Sequence, residues 1–520
     1  MGALYALVAC GPGGNDACSP DLGTDPNNCG HCGNACGGGY VCVDYACIAG
    51  ECQPGMVEEC YTGGPGTVNV GPCKAGSRTC LEGATWSACD GEVTPTQENC
   101  TDGIDNDCNG MIDEDFDLDG DGFTSCAGGD CCDNPGICTQ PELVNPGAFD
   151  APGNNFDDDC NGVADDTLLL CDQGLLSNST SGLDFAKAID ICQQTTDTEK
   201  RWGVISGTLS LTDGTGTPDP RGHAIRPRFG ANALPQGGVS MAILSSGAAA
   251  GKTDLNPSPT SGPSYAHLGV SSSPFPADFL AANGGTLPNA PNCPPPTGNS
   301  ARDAEMLTLR VRVPTNAKSF KLFTNFYSHE FPEYTCNQFN DFFVILLDST
   351  YAGDPANPAD KNLAFFQPMG TTVKVPVGVN LGHGDTGLFT QCVNGRTGCT
   401  FGAVAGSIST CISTNLLTGT GFDDPASGSC DNNSLSGGAT GWLITQGNVV
   451  GGEVITLRIA IWDTSDQQFD STALIDGLQW STEVANPGTV IGKEAPATAL
   501  PGSIQQRYPS WQPSLAKLAE

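Results

Sequence analysis

The sequence is poor in charged residues, methionine, histidine, helical patterns and long apolar runs. Only 15% of its 520 residues are charged, six are methionine, and long helical patterns are scarce. No segment approaches the roughly 20 consecutive apolar residues that a membrane-spanning helix needs. Histidine is also scarce, with five residues in the chain and only His31 among the first 171. These shortages favour a β-rich chain with many turns and argue against histidine-based metal sites.

Cysteine, in contrast, is abundant and is concentrated in one third of the chain. Twenty of the 27 cysteines lie in residues 1–171. This density is typical of a disulfide scaffold, which persists in an oxidising compartment, so we expect an exported protein. Cytosolic zinc knuckles are the alternative, and the single histidine of this region weighs against them. We predict disulfides at Cys100, Cys108, Cys126, Cys131, Cys132, Cys138, Cys160, Cys171 and Cys192.

Acidic residues are concentrated in the same third. The formal net charge of the chain is −37, and residues 1–171 contain 29 Asp and Glu against only Lys74 and Arg78. Such a negative surface excludes nucleic-acid binding and repels anionic membranes. It attracts cations where the acids cluster, so divalent cations are the first predicted partners.

The first ten residues contain a lipobox-like sequence. Leu7-Val8-Ala9-Cys10 is similar to the site at which bacterial lipoproteins are cleaved and acylated, although the basic start of a signal peptide is missing. Lipidation of Cys10 would leave 26 cysteines, an even number that can pair completely. A chance match within an ordinary, truncated signal peptide explains the segment equally well. Membrane attachment is therefore expected only through such a lipid anchor.

Composition divides the chain into five predicted segments. They are a truncated signal or lipobox-like segment at 1–10, Cys-rich disulfide modules at 11–97, Asp/Cys metal-binding repeats at 98–170, a β-sandwich at 171–485 and a C-terminal tail at 486–520. The tail is polar and interrupted by proline. A short helical pattern at 183–191 marks the entry to the sandwich.

Residues 98–166 contain an internal repeat and, inside it, a calcium-like loop. The segments 105–114 and 157–166 match at a constant offset of 52 residues. Between them, alternating aspartates followed by Gly120 reproduce the front half of an EF-type loop, because acids at every second residue converge when the backbone curls. Cys126 stands where the loop needs its final glutamate, so a complete EF-hand is excluded. The repeats would have to supply the missing ligands.

Thirteen aspartates are therefore candidate metal ligands. They are Asp102, Asp105, Asp107, Asp113, Asp115, Asp117, Asp119, Asp121, Asp130, Asp133, Asp157, Asp159 and Asp165. Carboxylate oxygens are the hard ligands that Ca²⁺ prefers. The alternative is that these acids form only a solvated, self-repelling face.

The arrangement resembles a known metal-binding motif of bacterial exported proteins. The resemblance rests on Glu98-Asn-Cys-Thr-Asp102-Gly-Ile-Asp105-Asn-Asp107-Cys108-Asn-Gly and on the second Asp-Cys-Asn-Gly copy, and it covers about residues 96–166. The motif is named after a copper-binding surface protein of a methane oxidiser, which implies a bound metal. Ala164 and Asp166 depart from the acidic-pair ending of the family. The soft or imidazole ligands that copper prefers are absent, so we predict Ca²⁺ ahead of copper.

The composition of the chain changes at about residue 200, after which apolar runs become frequent. Apolar runs at 306–313, 319–327, 341–347 and 453–462 predict β-strands, and the first alternates apolar and polar residues as a half-buried strand does. The connecting segments are long and rich in Gly, Pro and Ser. We therefore predict a mainly β fold, in which the disulfide-rich region precedes an antiparallel, jelly-roll-like β-sandwich with long loops.

This region resembles the choice-of-anchor L domain. The resemblance rests on the segment 327–347, with further agreement at 226–230, 241–247 and 470–476, and it spans about residues 200–482. It implies an exported β-sandwich without established catalytic activity. The chain departs from the family by placing His329 where an acid is common and by adding Cys336.

Acidic side chains of the predicted sandwich form a further candidate site. Glu330, Glu333, Asn340 and Asp341 are candidate ligands of a structural Ca²⁺, together with Asp463 or Asp470 from a neighbouring strand. Hydrogen-bonded capping of a turn is the alternative role.

The same segment does not resemble an enzyme motif. The pair His329-Glu330 lacks the second histidine of a zinc protease, and Pro332 would break the helix that such a motif needs. The sequence has no Gly-x-Ser-x-Gly elbow and no phosphate-binding loop. No catalytic residue is therefore predicted.

These features predict a non-enzymatic protein at the outer-membrane surface or outside the cell. A calcium-binding stalk would present the β-sandwich for adhesion, with surface glycans or matrix proteins as partners. Two alternatives remain from different classes. One is an enzyme that acts on polysaccharide through paired carboxylates, and the other is a copper-scavenging surface protein.

Overall fold

The computed structural model describes residues 23, 27–31, 34–36, 40–43, 45–49, 52, 54–81, 85–133, 138–166, 170–259, 271–368, 370–383, 386–400, 408–424, 430, 437–465 and 467–492. They form two compact units that divide between Glu142 and Leu143. The lipobox-like segment with Cys10 lies outside the described residues, as does the predicted tail from residue 493 onward. The predicted segment boundaries inside each unit remain predictions.

Unit 1, which ends at Glu142, contains two short antiparallel hairpins. Strand β1 (Tyr40–Val43) pairs with β2 (Ala46–Ala49), and β3 (Val57–Cys60) pairs with β4 (Gly76–Thr79). Its described disulfides include Cys29–Cys42, Cys36–Cys47, Cys52–Cys80, Cys60–Cys89, Cys73–Cys108, Cys100–Cys126 and Cys132–Cys138. All three hydrophobic clusters of the described residues lie in unit 2. Disulfides therefore take the place of a hydrophobic core in unit 1.

Unit 2, which begins at Leu143, is built mainly from β-strands. Its strands are β5 (Gly203–Ser210), β6 (His223–Arg226), β7 (Met241–Ser245), β8 (Ser272–Ser273), β9 (Ala301–Arg312), β10 (Ser319–Ser328), β11 (Phe342–Asp348), β12 (Phe365–Phe366), β13 (Val375–Pro376), β14 (Gly395–Arg396), β15 (Ile408–Ser409), β16 (Gly438–Ala439), β17 (Leu443–Asn448), β18 (Val454–Thr464), β19 (Ser471–Ser481) and β20 (Gly488–Ile491). Its α-helices are α1 (Gly182–Ala188) and α2 (Ala277–Ala282). Short 3-10 turns lie at Val379–Gly382 and Asn415–Leu417, and a third, Pro141–Leu143, spans the division between the units in sequence.

Two antiparallel sheets organise unit 2. The larger sheet has the order β20-β17-β10-β19-β7-β6, with β16 also paired to β10. The smaller sheet has the order β11-β18-β9-β5, with β8 also paired to β9. The four strands predicted from sequence are present as β9, β10, β11 and β18. The predicted fold class, mainly β with a disulfide-rich N-terminal region and antiparallel sheets, is confirmed.

The inner faces of the two sheets share one hydrophobic core. In β9, Leu307, Leu309 and Val311 point into this core together with residues of β10, β18 and β19. Met306, which precedes Leu307, belongs instead to a cluster on the opposite face, under α2. Side chains of neighbouring strand residues point to opposite faces. The smaller sheet is therefore covered on both sides where α2 packs.

Helix α1 begins where a side chain can cap it. The hydroxyl of Ser181 accepts a hydrogen bond from the backbone N–H of Asp184 at 3.4 Å, as N-terminal caps do. Gly182 lies so close to β5 that an added Cβ would be 2.1 Å from the carbonyl carbon of Gly207. Only glycine permits this contact. No described helix is both long and apolar enough to cross a bilayer.

Candidate metal centre

The Asp-rich loop of unit 1 is curled by its own side chains. Asp117 accepts hydrogen bonds from the backbone N–H groups of Gly120 at 2.7 Å and Gly122 at 2.9 Å. Asp119 accepts from the N–H of Asp121 at 3.0 Å. Both glycines have positive φ, +82° and +93°, a conformation that glycine adopts without steric cost. As a result, carboxylate oxygens of Asp117, Asp119 and Asp121 lie within 4.8 Å of one another.

A second group of carboxylates shares Asp119 with the first. Oxygens of Asp119, Asp130 and Asp133 also lie within 4.8 Å of one another. Asp130 is fully buried, and its Oδ1 accepts a hydrogen bond from the N–H of Cys132 at 2.8 Å. Its Oδ2 has no hydrogen-bond partner among the described residues, and the same holds for Oδ2 of Asp119. These two oxygens are available to a ligand.

The electrostatics of this group indicate a deficit of positive charge. Burial, with Asp121, Asp119 and Asp133 adding to it, raises the pKa of Asp130 to about 7. Burial also raises the pKa of Asp119, with contributions from Asp133 and Asp117. A buried carboxylate becomes favourable when a cation is close. We conclude that Asp117, Asp119, Asp121, Asp130 and Asp133 can hold a divalent cation, and we call them the loop site.

Asp115 does not join the loop site, although it begins the EF-like pattern. Its side chain is exposed, and its Oδ1 accepts hydrogen bonds from the N–H groups of Cys126 at 3.2 Å and Ala127 at 3.1 Å. The hydroxyl of Thr124, with these two N–H groups, lowers its pKa. Asp115 therefore closes the loop rather than contributing to either group.

The first copy of the repeat forms another carboxylate group. Oxygens of Glu98, Asp105 and Asp107 lie within 4.8 Å of one another, and all three residues are buried. Asp105 accepts hydrogen bonds from the N–H groups of Asn109 and Gly110, both at 3.0 Å. Glu98 was not among the sequence-predicted ligands, although it stands at the start of the motif. Glu98 and Asp105 are seven residues apart, so the spacing of neighbouring acids does not predict that their carboxylates lie close together.

The second copy repeats the conformation of the first. Asp157 accepts hydrogen bonds from the N–H groups of Asn161 at 3.0 Å and Gly162 at 2.8 Å, as Asp105 does in the first copy. The half-cystines Cys108 and Cys160 have φ of 60° and 57°. The two copies therefore share a conformation as well as a sequence, and these hydrogen bonds of the first copy recur in the second at positions 52 residues later.

One substitution distinguishes the two copies. Asp150 stands at the position of Glu98, and its side chain is one methylene shorter. Among the described residues, the second copy brings no three carboxylates within 4.8 Å. It is still short of positive charge, because burial raises the pKa of Asp159 to about 6, with further contributions from Asp166 and Asp150. Neither Asp150 nor Asp166 was predicted as a ligand from sequence.

The remaining predicted ligands of the repeats organise backbone turns. Asp113 accepts a hydrogen bond from the N–H of Gly103 at 3.0 Å, and Asp165 accepts from the N–H of Gly153 at 2.6 Å. Asp102 accepts from the N–H of Ile104 at 2.9 Å. None of the three belongs to a described carboxylate group. Their role here is to fold the motif around the buried acids.

The cysteines that the structure describes are not available as metal ligands. All nine cysteines predicted to be oxidised are disulfide-bonded. Unit 2 contains the disulfides Cys171–Cys192, Cys293–Cys336, Cys392–Cys411 and Cys399–Cys430. The described cysteine-containing groups with metal-like spacing consist of such half-cystines, with His383 beside one of them. The donor set of the candidate centres in the described residues is therefore carboxylate oxygen.

The candidate ligands of the sandwich are only partly brought together. Asp341, Asp463 and Asp470 are at most 1% exposed and interact with one another. Asn340 is used otherwise, because its Oδ1 accepts a hydrogen bond from the N–H of Asn380 at 2.8 Å. The buried Glu330 and Glu333 join no three-ligand group among the described residues (Glu330 1% exposed, Glu333 6%).

Comparison with known proteins supports a metal at these repeats. The family model of the copper-binding MopE type, described as "Putative metal-binding motif", matches residues 89–114 and 142–166. The two matched stretches contain the two structural copies. The residues of the loop site lie between these stretches in the sequence. No curated protein and no solved structure matches the chain. The chain is thus similar to this motif family over two short stretches, which indicates metal binding without deciding between calcium and copper.

Proposed function

We propose that this chain is a calcium-binding, non-enzymatic protein of the bacterial cell exterior. The observation that carries the proposal is Asp130, a fully buried carboxyl group that has one unpartnered oxygen and lies in a group with Asp119 and Asp133. A divalent cation supplies the positive charge that this group lacks. When bound, it would be held by the carboxylates of the loop site.

Calcium fits this donor set better than copper does. Ca²⁺ takes six to eight hard oxygen ligands, whereas copper favours imidazole and thiolate. The carboxylate groups contain oxygen only, and the half-cystines offer no thiolate. Copper binding is the second candidate function, because the matching family model is of the copper-binding type.

In the proposed function, unit 1 is a rigid spacer and unit 2 is the part presented for adhesion. Disulfides and a cation would stiffen unit 1, which lacks a hydrophobic cluster in its described residues. The disulfide content supports an extracellular or outer-membrane location. The resemblance of unit 2 to the choice-of-anchor L domain supports contact with surface glycans or matrix proteins.

The substitution Asp130→Asn tests the calcium proposal. It keeps the size of the side chain and removes one negative charge, so we expect calcium affinity at the loop site to fall by about tenfold or more. Isothermal titration of the full chain, stripped with a chelator, measures the affinity. Asp90→Asn is the matched control, because Asp90 is exposed in the same unit and should leave binding unchanged. An unchanged calcium isotherm for Asp130→Asn would contradict the proposal.

A further inference from the structure

Five strand ends meet at one end of the β-sandwich, and four of them carry an aspartate. Asp303 lies near the start of β9, Asp341 precedes β11, Asp463 lies near the end of β18, and Asp470 precedes β19. Antiparallel pairing brings these ends together, since Phe342 opposite Trp462 joins β11 to β18, and Asp463 opposite Arg302 joins β18 to β9. The fifth end is that of β7, where Thr472 of β19 pairs with Ser245. Both sheets therefore contribute acids to one place, which we call the end pocket.

The acids of the end pocket are removed from solvent. Asp303, Asp341, Asp463 and Asp470 are between 0% and 3% exposed. Neither carboxylate oxygen of Asp470 has a hydrogen-bond partner in the described part of the chain. Asp341 accepts a hydrogen bond from the hydroxyl of Ser471 at 2.7 Å. The hydroxyl of Ser246 lies near Asp463, and both carboxylate oxygens of Asp463 are without a hydrogen-bond partner among the described residues.

The Asp470 carboxylate lies against the backbone of Gly247, two residues after the end of β7. An added Cβ on Gly247 would lie 2.1 Å from Oδ2 of Asp470. Any other residue at position 247 would displace the carboxylate. Glycine after β7 therefore makes room for Asp470 at the point where the two sheets meet.

The ionised form of the end-pocket acids is unfavourable without a cation. Burial raises the pKa of Asp463 well above its usual value, and Asp341 and Asp470 add to this. Burial, together with Asp341 and Asp303, does the same for Asp470. The nearby His329 does not compensate for them, because burial lowers its pKa to about 4 and its ring stacks on Phe422 with the ring centroids 3.9 Å apart.

We propose that the end pocket is a second divalent-cation site, of the calcium class, with Asp341, Asp463 and Asp470 as its protein ligands. Asp303 adds negative charge beside it. Among the described residues, no three oxygens of these acids lie within 4.8 Å of one another. The donor atoms are carboxylate oxygens, which suit Ca²⁺ with its six to eight hard oxygen ligands in flexible geometry better than Zn²⁺, which favours nitrogen and sulfur.

The proposed site would join the two sheets of the sandwich. Asp463 lies in the smaller sheet, Asp341 leads into the same sheet, and Asp470 leads into the larger one. A cation bound by all three would link the two sheets at this end of the sandwich. The site goes beyond the metal binding proposed for unit 1, because it lies in unit 2 and outside both stretches that match the motif family.

The double substitution Asp463→Asn/Asp470→Asn in the full chain tests the proposal. With excess chelator, the variant should melt at the same temperature as the wild type or higher, because like charges have been removed from a buried place. With calcium at ~100 times the dissociation constant, only the wild type should gain the stabilisation of this site, about 5 °C for unit 2. Thermal unfolding followed by tryptophan fluorescence measures both conditions.

Stoichiometry separates this proposal from the one for unit 1. The double variant should bind one calcium fewer per chain than the wild type, whereas Asp130→Asn should keep the calcium of the end pocket. Asp213→Asn, an exposed acid of unit 2, is the control and should change neither quantity. The single variant Asp470→Asn provides the same comparison if the double variant folds poorly. A variant that is less stable than the wild type in chelator, and that keeps the full calcium count, would overturn the proposal.

Discussion

Reduction of the disulfides is expected to unfold unit 1 while the β-sandwich stays folded. In the described residues, unit 1 contributes to none of the three hydrophobic clusters, so little apolar burial opposes its conformational entropy. Each disulfide contributes roughly 2–4 kcal/mol, mainly by restricting the unfolded chain. Loss of all of them removes more stability than a small domain possesses.

Hydrogen exchange of the full chain, with and without a thiol reductant, measures this difference. Amides of β3 and β4 should lose their protection after reduction, whereas amides of β9 and β18 should keep theirs. The disulfides of unit 2 are reduced in the same sample, and its large core makes unit 2 an internal control. Persistent protection of β3 and β4 under reducing conditions would show that unit 1 has another source of stability.

Asp190 is expected to make the folded chain less stable as the pH rises from about 4 to 8. It lies in a group of acids around the turn between β6 and β7, where an added Cβ on Gly237 would be 1.7 Å from its Oδ2. Burial raises the pKa of Asp190 to about 7, and Asp172 adds to this. Asp172 accepts a hydrogen bond from the N–H of Ser240 at 2.6 Å, and Asp476 accepts from the N–H of Gly237 at 2.9 Å. These hydrogen bonds show that the acids around Asp190 help to fix the backbone between β6 and β7.

The sign follows from proton linkage. The pKa of Asp190 is higher in the folded chain than its ordinary value of 3.8, so the folded state binds the proton more tightly. The resulting stability is complete below that ordinary value and is lost as the pH rises through about 7. Asp190→Asn removes the titrating group, so it should stabilise the chain at pH 8 by about 2–4 kcal/mol relative to its effect at pH 4.

Chemical denaturation in the presence of a chelator tests this dependence at both pH values. Comparison of Asp190→Asn with the wild type at each pH isolates this group from the other buried acids. Asp213→Asn again serves as the exposed control. An equal loss of stability at pH 4 and pH 8 would mean that Asp190 acts through packing and not through its charge.

The sequence predicted those parts of the fold that depend on local pattern. Strand β9 was found because Met306 to Val313 alternates apolar and polar residues, and β18 because its apolar run is long. The two-residue strands β12 to β16 are too short to show a hydrophobic pattern in the sequence. The predicted helix at 183–191 appears as the shorter α1, which ends at Ala188.

In the candidate sites too, the sequence predicted the contacts that depend on local spacing and missed those that depend on the tertiary fold. The convergence of Asp117, Asp119 and Asp121 was predictable, since each aspartate hydrogen-bonds to backbone within five residues of itself. The approach of Glu98 to Asp105 was not predicted from the sequence, because it depends on the turns that the motif makes between the two residues. In the end pocket, the sequence placed Asp341 with Asp463 or Asp470 of a neighbouring strand. It did not include Asp303, which lies beside a bulge in the pairing of β9 with β18 that no sequence pattern indicates.

The metal content of the full chain tests the central claim most directly. The chain is stripped with a chelator, dialysed against equal concentrations of Ca²⁺ and Cu²⁺, and analysed by elemental mass spectrometry, with Asp130→Asn treated alongside it. We predict stoichiometric calcium in the wild type, less calcium in Asp130→Asn, and no stoichiometric copper in either. Stoichiometric copper without calcium in the wild type would contradict the account.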